Sequence, residues 1–102
     1  MTDTEKVLLY TKVLDSWGIE AQVRMVMEEG GEMFSALGKA FRGRVSREEV
    51  ITELADVSIM MEQMAVFFGL DEFRMEKERK LKRLQDRLKK WEEKQNDKPA
   101  NG

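Results

Sequence analysis

The chain carries a single proline, Pro99, so nothing in the long stretch before it forces the backbone out of a helix. Its seven glycines fall at a few points rather than at the regular short intervals of a strand-and-turn protein. No stretch alternates strictly between apolar and polar residues. A chain so sparsely interrupted is predicted to be all-α, with four long helices. The first is expected from about Thr4 to Trp17, with Val7, Tyr10, Leu14 and Trp17 forming one apolar stripe. Thr2 and Glu5 have capping-box spacing, and Gly18 fits the stop. The second is expected from about Glu20 to Phe41, ending at Gly43. The third is expected from Ser46, with a second capping box to Glu49, through Phe68 to a stop at Gly69. The fourth is expected from an Asp71 N-cap to about Lys94. Residues 1–94 then form one helical domain, and residues 95–102 a frayed, disordered polar tail.

Composition narrows the chemistry. Of 102 residues, 37% are charged and 41% hydrophobic, with a net charge of −2. That is too charged for a membrane protein and too apolar for a disordered one. The polar, acidic start from Met1 to Lys6 has no signal-peptide pattern, so a cytoplasmic location is expected. With no cysteine and no histidine, disulfides, Cys or His metal sites and Ser-His-Asp catalysis are excluded. The near-neutral charge argues against a general nucleic-acid binder.

The third helix is apolar on nearly every side from Leu54 to Phe68, a pattern of complete burial. Three other helices of this size cannot surround it, so a second subunit is expected. The fourth helix has a narrow Leu81, Leu84, Leu88, Trp91 seam on an otherwise charged surface.

Two acids on each of the middle helices face the wrong way for a solvated surface. At about 100° per residue, Glu29 falls inside the stripe of Val26, Met33, Ala36, Leu37 and Ala40, with Glu32 on its border. Glu53 likewise falls inside the stripe of Met60, Met64 and Val57, with Asp56 at its edge. In an antiparallel hairpin through 42–45, Glu32 and Glu53 stand at ~14 and ~11 Å from the turn, and Glu29 and Asp56 at ~18 and ~15 Å. The four carboxylates can converge. Ionised carboxylates taken from water need partners, and no Lys or Arg occurs between 25 and 37 or between 50 and 64. A cation from solution is the remaining partner, and an all-oxygen site selects Mg²⁺ or Mn²⁺. Gly30 and Gly31, between two of the acids, point to a close approach by a ligand or helix, or to a local bulge.

MEEGGEM (27–33), a basic loop and TELADV (52–57) together resemble the E-x-x-E and E-x-x-D signature of MazG-like all-α nucleoside triphosphate pyrophosphohydrolases. KLKRLQDRL (80–88) is similar to the ending of small, phage-type members. The resemblance covers about residues 20–90, and departs from the family at Gly30, where a larger residue is usual. It implies a four-helix MazG-like bundle completed by oligomerisation, as a homodimer or homotetramer. It implies Mg²⁺-dependent cleavage of a (d)NTP into (d)NMP and pyrophosphate, with Glu29, Glu32, Glu53 and Asp56 as metal ligands. Glu28 and Glu49 are alternative general bases. Lys80 and Arg83, with Lys39 at the hairpin end, are the substrate-binding candidates. Trp17, Phe34 and Phe67 are candidates for a wall under the base, although core packing is the expected role of all three. Two other readings compete: a non-catalytic adaptor that binds nucleic acid through the basic fourth helix, and a hydrolase of another phosphoanhydride such as phosphoribosyl-ATP.

Overall fold

A computed structural model describes residues 1–97. It is all-helical, with four helices and no strand among the described residues: α1 (Asp3–Trp17), α2 (Ile19–Phe41), α3 (Arg47–Phe68) and α4 (Leu70–Asn96). The chain divides into two compact units, Met1–Gly69 and Leu70–Gly102. Among the described residues no helix is long and apolar enough to cross a membrane.

The ends of the helices follow from local chemistry. Thr2 caps α1 in a complete box: its Oγ1 accepts from the Glu5 amide, and the Glu5 carboxylate accepts from the Thr2 amide, each at 3.1 Å. Gly18 and Gly69 sit at φ +85° and +139°, backbone states that L side chains rarely adopt, and there α1 and α3 stop. Two expected caps need correction. Ser46 caps α3 by accepting from the Glu49 amide at 3.2 Å, but Glu49 does not return the bond, so the second capping box is only half formed. Asp71 is not an N-cap. Gly69 already breaks the chain, so Asp71 and Glu72 lie in the first turn of α4, where their charge favours the helix N-terminus. α4 also runs two residues beyond Lys94, taking 95 and 96 out of the expected tail; residues 98–102 of that tail lie outside the described residues.

In the first unit α2 and α3, joined by residues 42–46, form the main helix pair, and α1 packs on both. The core is small. Among the described residues only Tyr10, Met60 and Ala65 are buried hydrophobics, and no side chain is completely buried. Two polar residues lie deeper: Gln22 and Gln63 are 2% and 3% exposed, and Gln63 Nε2 donates to Gln22 Oε1 at 2.6 Å. The Tyr10 hydroxyl donates to Glu62 Oε2 at 2.5 Å and ties α1 to α3. Burial, then the hydrogen bond and charge of Glu62, push the Tyr10 phenol up to about 12.

Within one chain α3 is not buried all round. Met60, Gln63 and Ala65 are buried, whereas Ile51, Leu54, Ile59, Met61, Phe67 and Phe68 are exposed. α1 and α2 cover α3 only in part, and much of its apolar surface stays exposed.

Candidate metal centre

The acids of α2 and α3 meet across the seam between these helices. One carboxylate oxygen from each of Glu29, Glu53 and Asp56 lies within 4.8 Å of the other two. Glu29 and Glu53 are half-buried and Asp56 is exposed, matching their expected places inside and at the edge of the stripes. Glu32 is exposed on the margin and is not one of the three that converge. Its charge is nevertheless felt by both half-buried acids.

The electrostatics are strongly one-signed. Partial burial pushes the Glu29 carboxyl up from its ordinary value, and the charges of Glu32, Asp56, Glu53 and Glu28 add to the effect in that order. Glu53 is pushed up by partial burial, then by Glu32 and Asp56. Glu29 Oε2 and Glu53 Oε2 are buried and have no hydrogen-bond partner among the described residues. Buried polar atoms in folded proteins are nearly always satisfied, so two orphaned carboxylate oxygens in one cluster need an explanation.

Beside the cluster is an open cleft of about 530 Å³ lined by α2, the link and α3. Glu28, Glu32, Lys39, Glu49 and Glu53 all line it, so both base candidates and one substrate-binding candidate share a cavity with two of the proposed ligands. Among the described residues Lys39 is its one cationic lining residue. Gly31 lines it too, and a Cβ there would meet nothing within 4 Å. The same is true of Gly30. The two glycines therefore do not admit a neighbouring helix of this chain, and α2 passes through them as regular α-helix, without a bulge.

Lys80 and Arg83 are exposed on α4, in the second unit. Core packing does not hold for the three aromatic candidates. Within one chain Trp17, Phe34 and Phe67 are 65%, 69% and 48% exposed. Phe67 packs edge-on against Phe68, and Met27 is the large apolar side chain that lines the cleft.

The sequence reading passed over Gln22 and Gln63, although the signal was there. Each lies seven residues, two helical turns, from an acid of the site, so Gln22 shares the face of Glu29 and Gln63 that of Asp56. The seam thus carries polar groups at two levels, about 10 Å apart along each helix. The deeper pair satisfies itself, and the other pair holds the excess negative charge. Compared with known proteins, the chain matches no family model, and no curated protein or solved structure matches it.

Proposed function

We propose that the chain is a divalent-metal-dependent nucleoside triphosphate pyrophosphohydrolase of the MazG-like kind, converting a (d)NTP and water into a (d)NMP and pyrophosphate. The observation that carries this reading is the pair of buried, partnerless oxygens on Glu29 and Glu53, with an Asp56 oxygen within 4.8 Å. A hard cation explains all three features: the convergence, the orphaned atoms and the lack of a Lys or Arg in the seam. The donor set is oxygen only, which suits Mg²⁺ or Mn²⁺ over softer ions. Glu29, Glu53 and Asp56 would hold the ion, with Glu32 joining from the margin as the sequence resemblance implies. When bound, the ion supplies positive charge against the phosphoryl oxygens and acidifies water.

The chain's own residues do the rest. The open cleft beside the acids admits the triphosphate, and the missing side chain at Gly31 leaves room along α2. Lys39 donates to a phosphate oxygen from the far end of the cleft. Glu28 or Glu49 accepts the proton from the attacking water. The water oxygen bonds to the α-phosphorus as the bond to the α,β-bridging oxygen breaks. Pyrophosphate leaves with that electron pair, and the monophosphate keeps the new oxygen. Lys80 and Arg83 are assigned to the phosphates by the resemblance alone.

A homodimer belongs to the same proposal. On α3 the exposed Leu54, Met61 and Phe68 lie at neighbouring angles, with Ile51 beside them, an apolar surface of the kind that a second subunit covers.

The test is a pyrophosphate-release screen over canonical and damaged nucleotides, with phosphoribosyl-ATP as a further arm, each with and without Mg²⁺. Release with Mg²⁺ that disappears in Glu53→Ala and Asp56→Ala supports the site. Full turnover in either variant rejects it.

A further inference from the structure

α4 is a 27-residue helix with no buried residue. Leu81, Leu84, Leu88 and Trp91 are each between 50% and 60% exposed and recur at 3-4-3 spacing. A helix this polar on its other faces draws most of its stability from covering its apolar stripe. In heptad terms Leu81 and Leu88 are a positions, and Leu84 and Trp91 are d positions. The flanking g positions are then Lys80, Arg87 and Lys94, and the e positions are Glu78, Gln85 and Glu92.

These flanks decide what can lie across the seam. In an antiparallel pair of such helices g faces g and e faces e, so every register sets cation against cation, and acid against acid or glutamine. In a parallel, in-register pair each g faces the e five residues on in the other strand. Arg87 then faces Glu92 of the second copy, twice by symmetry, and Lys80 faces Gln85. No position in that arrangement sets like charges against each other across the flanks. The edges of this helix are complementary to an identical helix running in the same direction, and repel one running the other way.

We propose that two copies of the chain pair through α4 as a parallel, two-stranded coiled coil over Leu81–Trp91. The seam opens out towards the start of α4, where Arg74 and Lys77 occupy the next a and d positions. Charged residues there disfavour assemblies of three or more strands, which would enclose those positions more fully. The pairing rests on α4 alone and does not depend on the metal site.

The chain has no cysteine, so single cysteines report the geometry cleanly. Full-length Leu84→Cys, oxidised with glutathione disulfide, is expected to run almost wholly as a covalent dimer, whereas Lys82→Cys, on an outer b position, stays uncrosslinked. In sedimentation equilibrium Arg87→Glu weakens the dimer about tenfold or more, because two attractions become two repulsions. Arg87→Glu/Glu92→Arg restores it. Circular dichroism confirms that each variant is folded, which these exposed positions permit. The proposal is overturned if Leu84→Cys crosslinks no better than Lys82→Cys. It is also overturned if a mixture of Leu81→Cys and Trp91→Cys chains crosslinks to each other, which is the antiparallel signature, or if Arg87→Glu leaves the association unchanged. Dimers that persist through the charge reversal and do not crosslink at 84 would lie on another surface, such as α3.

Discussion

Gln22→Leu is expected to destabilise the protein, and adding Gln63→Leu to repair most of the damage. The two amides are 2% and 3% exposed and share a 2.6 Å hydrogen bond. Removing the Gln22 acceptor leaves the Gln63 donor buried without its partner, which costs about 1–3 kcal/mol. Gln63→Leu strands the Gln22 oxygen at a similar cost. The double variant replaces the pair by two apolar side chains of similar size, which is close to neutral. The coupling measured by the cycle, both single costs less a nearly neutral double, is therefore about 2–6 kcal/mol. For a domain of this size each kcal/mol moves the melting temperature by about 4–8 °C. Each single variant should melt roughly 4–24 °C below wild type, and the double within about 5 °C of it. Thermal melts by circular dichroism, checked for coincidence with a fluorescence probe, provide the measurement. A double variant as unstable as the two singles added together would refute the idea that the amides satisfy each other. The pair lies two turns from the acids on the same seam, so it also holds α2 and α3 in register. The double variant, though stable, should respond less to Mg²⁺ in melting and turnover than wild type, and an unchanged response would refute the register role.

Three further outcomes follow from the site and core. Glu29 and Glu53 titrate above the ordinary carboxyl value of 4.5, so their contribution to stability is fully present below that pH and is lost as pH rises through their raised values. Without divalent ions the melting temperature should fall as pH climbs from about 4 towards neutrality, and the gain on adding Mg²⁺ should grow over the same range; a gain independent of pH would argue against these ligands. Gly31→Ala meets nothing within 4 Å and should stabilise α2 by about 1 kcal/mol in a urea melt, whereas a bulky Gly31→Leu should raise KM for the nucleotide. Tyr10 titrates at about 12 against 10.0 in the unfolded chain, so its contribution is complete below pH 10 and disappears through about 12. Tyr10→Phe should flatten that alkaline loss in a pH series of melts, and an unaltered profile would show that the Tyr10–Glu62 bond does not act as described.

Much of the site could be read before any coordinates, because its signals are periodic and local. Glycines at positive φ stop α1 and α3 where the pattern of residues said they would. Glu29 and Glu53 lie in apolar stripes, and a helix turns a residue by the same angle wherever it stands, so the wheel alone predicts that both face the seam. The hairpin heights predicted that all four acids would meet; Asp56 joins Glu29 and Glu53, and Glu32 does not. Gln22 and Gln63 obey the same geometry and were open to the same arithmetic.

Properties that depend on what lies opposite a residue belong to the tertiary structure. The pattern of α3 says that it needs cover on every side, but only the packing shows that α1 and α2 supply part of it and leave Phe67 and Phe68 exposed. The wheel gives Glu32 and Asp56 similar marginal places, yet the crossing of α2 and α3 brings Asp56 into the cluster and leaves Glu32 outside it. Ser46 and Glu49 have the spacing of a reciprocal cap, and the folded chain forms only half of it. The difference is one of range. Helix periodicity is set by neighbours within four residues, whereas convergence, burial and an unsatisfied oxygen are set by residues twenty or more positions away, brought close by the way the helices pack.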